Sequence, residues 1–222
     1  MKTRTIFQIA VLSIFIIGIL LILYVLNYTS ITRSGFVNSW LKNYAGTAVS
    51  PAIDPFFSRL SLAAIERTKH KVRYDPAYIP IPYPNGDVPS DIGVCADEII
   101  RAYRMVGIDL QKEIHEDMAK HFVNYPKMWR LSEPDTNIDH RRVPNLMTFF
   151  TRNGISLSIS SDPSDYFPGD IVAWELSNRL LHIGIVVEPL SLSGKRHLIV
   201  HNIGSGPKME DALFIGRVIG HF

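Results

Sequence analysis

The chain has 222 residues, of which 46% are hydrophobic and 20% charged, and its formal net charge at neutral pH is +2. So small a charge, with no block rich in lysine and arginine, argues against a nucleic-acid partner. The chain contains one cysteine, Cys95, which excludes a disulfide within the chain.

The first element in chain order is an apolar run from Ile6 to Leu26, preceded by Lys2 and Arg4. The run reaches the roughly 20 residues that a transmembrane helix needs, and the positive-inside rule places residues 1–5 in the cytoplasm. No small-residue cleavage site follows directly. We therefore predict an uncleaved signal anchor, with a cleaved signal peptide as the alternative.

The rest of the chain divides into a stalk and one domain. Residues 27–53 are polar and mixed and are predicted to form a juxtamembrane stalk. Residues 54–222 are enough for one domain with its own core. The expected location is the inner membrane, with this domain on the periplasmic side. The sequence does not give the oligomeric state.

Helices are predicted in the first half of the domain and strands in the second. The predicted helices run from Pro55 to about Lys71, from Asp91 to Val106, from Leu110 to Phe122 and from Asn145 to Arg152. Proline-rich loops are expected over Tyr74–Pro89 and Asn124–Pro144. The predicted strands are Leu157–Ile159, Ile171–Leu176, Leu181–Val187, His197–His201 and Leu213–Ile219. Helices followed by an antiparallel sheet form an α+β pattern.

Cys95 falls near the start of the second predicted helix, for which Asp91 is the expected cap. The N–H groups and dipole of a helix N-terminus stabilise a thiolate, although the neighbouring Asp97 and Glu98 oppose this effect. A thiol in an exported protein is buried and inert, cross-linked to another chain, or a nucleophile. A small buried core thiol is therefore the alternative to a catalytic one.

Two histidines lie on predicted strands after the cysteine. His182 opens an apolar strand and is a candidate base for the thiol, while His201 ends the next strand and is followed by Asn202. A base of this kind needs a second polar side chain to hold its tautomer. His201 and Asn202 point to opposite faces of a strand, so only one of them is expected to do this.

These motifs resemble the NlpC-type cysteine peptidases of the papain-like superfamily. The resemblance rests on four motifs, namely Cys95 at a helix start, Pro168-Gly169-Asp170-Ile171-Val172, His182-Ile183-Gly184-Ile185-Val186 and Ile199-Val200-His201. The resemblance implies a papain-like domain in which Cys95 is the nucleophile, His182 the base and His201 the orienting residue. It also implies that Tyr83, in the loop before the cysteine, lines the cleft.

A bacterial envelope family of unassigned function within that superfamily is a closer resemblance, over about Lys71 to Phe222. The segments that carry it are Tyr83-Pro84-Asn85-Gly86-Asp87-Val88-Pro89, the stretch from Asn137 to Leu146, and His201-Asn202-Ile203-Gly204. The chain departs from the NlpC-type pattern at Val94-Cys95-Ala96-Asp97, where the family has Asp-Cys-Ser-Gly, and in its longer loops. These departures bear on the choice of substrate.

Three further residues are candidates for contact with substrate. Arg141 and Arg142 are predicted to bind a carboxylate in bidentate fashion, with bonds to Asp135, Asp139 or loop carbonyls as the alternative. Trp174 is either cleft wall or core.

The leading functional prediction is a membrane-anchored cysteine hydrolase that cleaves amide bonds through a thioester. Its expected partner is peptidoglycan, whose stem peptides carry carboxylates, and no cofactor or metal is expected. One alternative is an inactive envelope-binding or scaffold protein. The other is a zinc hydrolase with ligands drawn from His140, His182, His201 and Asp139 or Asp170.

Overall fold

The computed structural model describes residues 54–154 and 156–222. The predicted anchor over residues 6–26 and the predicted stalk over residues 27–53 lie outside these ranges. Within them, no helix is both long enough and apolar enough to cross a bilayer.

The described residues form an α+β fold in which helices precede an antiparallel sheet, as predicted. The α-helices are α1 (Pro55–Arg67), α2 (Cys95–Met105), α3 (Leu110–His121) and α4 (Val143–Asn153). Short 3-10 turns lie at Phe122–Asn124, Asp139–Arg141 and Pro163–Asp165.

Helix α1 begins where its local sequence predicts. The Asp54 carboxylate accepts a hydrogen bond from the Phe56 N–H at 2.8 Å, and Pro55 occupies the first helical position. The helix ends at Arg67, earlier than the predicted Lys71, because the N–H groups of Thr68, Lys69 and His70 each donate to the carbonyl three residues back, which tightens the last turn.

Helix α2 begins four residues later than predicted, and Asp91 is not its cap. Ile92–Gly93 (β2) instead pairs in parallel with Arg73–Tyr74 (β1), and Cys95 is the first helical residue. The cap comes from within the helix, since the Asp97 carboxylate accepts from the Val94 N–H at 2.7 Å. At the other end Gly107 follows with a φ of 91°, a left-handed conformation that suits glycine.

A five-stranded antiparallel sheet forms the second half of the domain. Its strands are β3 (Ile171–Glu175), β4 (Leu181–Leu190), β5 (His197–His201), β6 (Lys208–Glu210) and β7 (Arg217–His221), in the spatial order β6-β5-β4-β3-β7. Helices α1 and α2 both pack against the central strand β4. The helix that begins at Cys95 is thereby brought to the strand that carries His182, the predicted base.

Two strand predictions are wrong in detail. The predicted strand Leu157–Ile159 is irregular, although its Leu157 N–H donates to the His221 carbonyl at 2.8 Å. The last strand is Arg217–His221 and not Leu213–Ile219, because Leu213 is buried in the core as part of a turn. Strand β6 was not predicted, since three residues give too little alternation to detect.

The core on one side of the sheet surrounds Trp174. Its other fully buried members come from β3, β4 and β5 and from the segments that cover them, namely Tyr166, Val172, Val186, Ile199, Ala212 and Leu213. Burial of side chains this large contributes about 1.5–3 kcal/mol each.

Candidate functional site

Cys95 lies at the first position of α2, with its side chain directed into the protein. Only 4% of the residue is exposed. The backbone N–H groups of Cys95, Ala96 and Ile183 all interact with the sulfur. Since Ile183 is the neighbour of His182 on β4, this contact brings the start of β4 against the thiol.

A buried ion pair fixes the turn that carries the thiol. Arg141 donates from Nε to Asp97 Oδ1 at 2.8 Å and from Nη2 to Asp97 Oδ2 at 3.0 Å. The same guanidinium donates to the carbonyls of Ala77 and Asp75. One side chain therefore links the Cys95 turn, the segment before it and the 3-10 turn at Asp139–Arg141.

The thiol holds its proton in this closed site. Burial is the largest cause that raises the pKa of Cys95, to about 11, and the charge of Asp97 adds to it, whereas the three backbone N–H groups act in the opposite direction. The helix N-terminus therefore favours the thiolate as expected, but desolvation outweighs it.

The strand register brings the two histidines together. His182 is the direct cross-strand partner of Trp174, and Ile185 pairs with Val200, so His201 follows opposite Gly184. His182, Gly184 and His201 consequently share one face of the sheet. A Cβ at Gly184 would lie 2.7 Å from Ile199 Cγ2 and 3.2 Å from His201 Cβ, so glycine allows the close approach.

The imidazoles form a chain that ends at a carboxylate. His182 Nε2 lies 2.8 Å from His201 Nδ1, and His201 Nε2 lies 3.3 Å from Glu210 Oε2. A carboxylate only accepts, so Glu210 requires a proton on His201 Nε2, and neutral His201 then accepts through Nδ1. His182 must donate from Nε2, which leaves its Nδ1 as the basic nitrogen.

Both histidines are held neutral. His182 is 2% exposed, and burial followed by the proximity of His201 lowers its pKa to about 3. Burial also lowers the pKa of His201, while the charge of Glu210 acts to raise it. The resting site is a neutral thiol with neutral imidazoles, and not a preformed thiolate–imidazolium pair.

A tyrosine other than the predicted one contacts the thiol. Burial, followed by the nearby Cys95 and Asp97, raises the pKa of Tyr74 to about 12, so the Tyr74 hydroxyl lies beside the thiol. Tyr83 packs edge-to-face against His115 of α3, with ring centroids 5.0 Å apart. Its predicted role in the cleft stays a prediction.

Trp174 and Asn202 both lie in the interior. Trp174 is fully buried, donates from its indole nitrogen to the Leu213 carbonyl at 2.8 Å and stacks against the His182 ring at 5.7 Å. It therefore supports the imidazole from the core. Asn202 accepts from the Gly204 N–H through its side-chain oxygen, so the geometry favours His201 over Asn202 as the partner of His182.

The two arginines lie differently. The Arg141 side chain is buried against Asp97, whereas the Arg142 side chain is partly exposed, donates to Asp139 Oδ1 at 3.2 Å and stacks over Trp129 with Cζ 4.1 Å from the ring centroid. The alternative considered from the sequence thus holds for Arg142, which pairs with Asp139, and for the bonds of Arg141 to loop carbonyls. The pairing of Arg141 with Asp97, 44 residues away in sequence, was not foreseen.

The zinc alternative finds no ligand set in the described part of the chain. Across residues 54–154 and 156–222, no group of three or more His, Cys, Asp or Glu side chains is arranged to hold a metal ion. His140 is buried, and desolvation followed by the charges of Arg141 and Arg104 lowers its pKa to about 3.

Sequence reasoning missed Tyr74, Gly184 and Glu210 as parts of the site. The position of Gly184 in the strand His182-Ile183-Gly184-Ile185-Val186 was a usable signal, since a glycine within an apolar strand marks a close backbone approach. Tyr74 and Glu210 carry no such signal, because each reaches the site through a strand of two or three residues.

Comparisons with known proteins identify the family. The chain is 48% identical over 179 residues to the "Uncharacterized protein YijF" of Escherichia coli (strain K12), an alignment that covers 79% of this chain and 87% of that relative. No solved structure matches. The model of the family described as "Domain of unknown function (DUF1287)" matches residues 61–222, which include Cys95, His182, His201 and Glu210, and the chain therefore belongs to the DUF1287 family.

Proposed function

We propose that this protein is a cysteine hydrolase of amide bonds with a papain-like, NlpC-type domain. The observation that carries the proposal is the chain from His182 Nε2 to His201 Nδ1 to Glu210, with the neighbouring Ile183 N–H on the sulfur of Cys95. A thiol at a helix start, a base and an orienting group are the parts that nucleophilic catalysis needs.

The reaction begins with a neutral thiol, so deprotonation accompanies attack. His182 Nδ1 takes the proton as Cys95 Sγ bonds to the carbonyl carbon, and the carbonyl electrons move to oxygen. The Cys95 N–H, and the Tyr74 hydroxyl once it leaves the sulfur, are donors for this oxyanion. Collapse breaks the C–N bond, and the amine leaves with the proton from His182.

Water completes the cycle. His182 Nδ1 accepts a proton from water as the water oxygen attacks the thioester carbonyl, and the C–S bond breaks with return of a proton to Cys95 Sγ. The products are a carboxylic acid and an amine. The proposed substrate is a peptidoglycan stem peptide, since residues 6–26 are proposed to anchor the domain on the periplasmic side of the inner membrane.

A second candidate is a binding protein without turnover, favoured by the 4% exposure and high pKa of Cys95. To decide, purified peptidoglycan is digested with the full chain and with its Cys95→Ala variant, and the released fragments are weighed by mass spectrometry. Under the hydrolase proposal, new fragments appear only with the intact thiol. Absence of fragments from both proteins would leave the binding role, and equal digestion by both would remove Cys95 from the mechanism.

A further inference from the structure

A cavity of about 360 Å³ opens beside the residue that precedes Cys95. It is lined by Pro76, Tyr78, Val94, Trp129, Ile138, Arg141 and Arg142. Its volume falls at the lower end of the range for small-ligand sites, which suits a single amino-acid residue. Since Val94 lies in its wall, an occupant is placed next to the nucleophile turn.

The lining combines positive charge with apolar and aromatic surface. Two arginines and no acidic side chain line the cavity, because their partners Asp97 and Asp139 are almost fully buried behind them. The charge of Arg141 is compensated by the Asp97 carboxylate, which accepts two hydrogen bonds from its guanidinium. Arg142 is paired with Asp139 through one hydrogen bond, and its other N–H donors are available to a ligand.

Arg142 is held in place with donors to spare. A guanidinium has five N–H donors, and within the described residues the Arg142 side chain makes one hydrogen bond, from Nη1 to Asp139. The Trp129 ring stacks against the guanidinium of Arg142, with Cζ 4.1 Å from the ring centroid, and this contact fixes the plane of the guanidinium. A preoriented guanidinium with free edge donors matches a carboxylate in bidentate geometry.

Tyr78, another lining residue of the cavity, is also held in place. The Asn137 amide donates to the Tyr78 hydroxyl at 2.9 Å, and the Asn137 oxygen accepts from the Ile81 N–H at 2.9 Å. Tyr78 belongs to the same segment as Tyr74, which contacts the thiol. The segment that lines the cavity at Pro76 and Tyr78 therefore also passes beside the thiol.

We propose that this cavity binds an acidic amino-acid residue of the substrate, whose carboxylate is paired to Arg142 beside the scissile amide. This inference rests on the proposed hydrolase function and names the substrate class of the same site. Val94, Ile138 and Trp129 would contact the aliphatic part of the residue, and Tyr78 would close the cavity at the rim.

The test measures equilibrium binding of peptidoglycan fragments to the full chain carrying Cys95→Ala, with tryptophan fluorescence as the readout. The probes are soluble peptidoglycan fragments released by a muramidase, either native or with their carboxylates converted to amides by carbodiimide and ammonia. We expect Arg142→Gln to weaken binding of native fragments at least about tenfold, as for a lost charge-assisted hydrogen bond, and to leave binding of amidated fragments unchanged. Arg196→Gln, which removes an exposed arginine paired with Asp211, is the matched control.

Removal of Arg142 also leaves Asp139 unpaired, so the double variant Asp139→Asn with Arg142→Gln is measured alongside and should lose the same affinity. The inference is overturned if native fragments do not bind, if both variants bind as tightly as the parent, or if amidated fragments bind as tightly as native ones. Binding that depends on Arg142, without hydrolysis by the intact thiol, would refute the proposed function and keep the site. Hydrolysis that requires Cys95, together with binding that does not depend on Arg142, would support the proposed function and refute the site at Arg142.

Discussion

The buried pair between Arg141 and Asp97 provides the sharpest quantitative prediction. The two side chains are 2% and 3% exposed. Replacement of Arg141 by methionine keeps the apolar bulk but leaves the Asp97 carboxylate buried with one remaining hydrogen bond, from the Val94 N–H. Removal of one partner of a buried pair costs about 3–5 kcal/mol. This is a large fraction of the roughly 5–15 kcal/mol that stabilises a domain.

The loss of free energy of unfolding is measured by urea denaturation of the full chain at pH 7, with thermal unfolding as a second readout. For a domain of this size each kcal/mol corresponds to about 2–4 °C, so the melting temperature should fall by roughly 6–20 °C. Arg196→Met is the control, because the side chains of Arg196 and Asp211 are 37% and 39% exposed. An exposed pair is worth about 0–1 kcal/mol.

The double variant Asp97→Leu with Arg141→Met separates a buried charge from simple loss of packing. Replacement of both charges by apolar groups should recover most of the stability, because no carboxylate then remains buried without its partner. A loss below about 1 kcal/mol for Arg141→Met would refute the reasoning. A double variant no more stable than the single one would also refute it.

Three further predictions concern the thiol, the carboxylate and the buried histidines. A pKa of about 11 for Cys95, against an ordinary value of 9.0, gives about a hundredfold less thiolate at pH 7. Iodoacetamide should therefore react with Cys95 more slowly than with free cysteine, and faster as the pH rises. Rapid alkylation at pH 7 would contradict a protonated thiol. Glu210→Gln should lower kcat on peptidoglycan about 10- to 100-fold with little change in KM, because the tautomer of His201 is no longer imposed. The exposed Asp211→Asn variant is the control. An unchanged kcat for Glu210→Gln, or an equal loss of kcat in the control, would remove Glu210 from the mechanism. Burial lowers the pKa of both His140 and His182 to about 3, below their value near 6.5 in the unfolded chain. As the pH falls below about 6.5, the unfolded chain therefore binds more protons than the folded protein, and the free energy of unfolding decreases down to about pH 3. At pH 5 the loss is about 2 kcal/mol per histidine, and equal urea midpoints at pH 7 and pH 5 would rule it out.

The order of elements was predictable because its signals are local. Asp54 and Pro55 start α1, and Gly107 follows the end of α2, each through the conformation of one or two residues. The apolar run between His197 and His201 likewise forms the strand predicted for it. The start of α2 was misplaced because Asp91 has the right side chain for a cap, whereas the Ile92–Gly93 strand depends on Arg73 and Tyr74 from another part of the chain.

The pairing of His182 with His201 was predictable from the motifs, but the environment of Cys95 was not. Sequence placed Cys95 at a helix start and therefore favoured a thiolate, yet burial raises its pKa. Desolvation depends on every group that packs around the sulfur, including the Tyr74 hydroxyl, and a sequence does not specify that packing. The preference for His201 over Asn202 likewise needed the strand register, because a shift of one residue exchanges the two faces.

By itself the sequence determined the α+β order, the start of α1, the single thiol and the two histidines that follow it, because helix caps, alternation and residue type act over a few neighbours. Only the tertiary structure decided which charges meet: Arg141 with Asp97 and His201 with Glu210. A buried charge must find a partner wherever the fold supplies one. These pairings follow from which elements pack together, and they determine how the thiol is held and what can lie beside it.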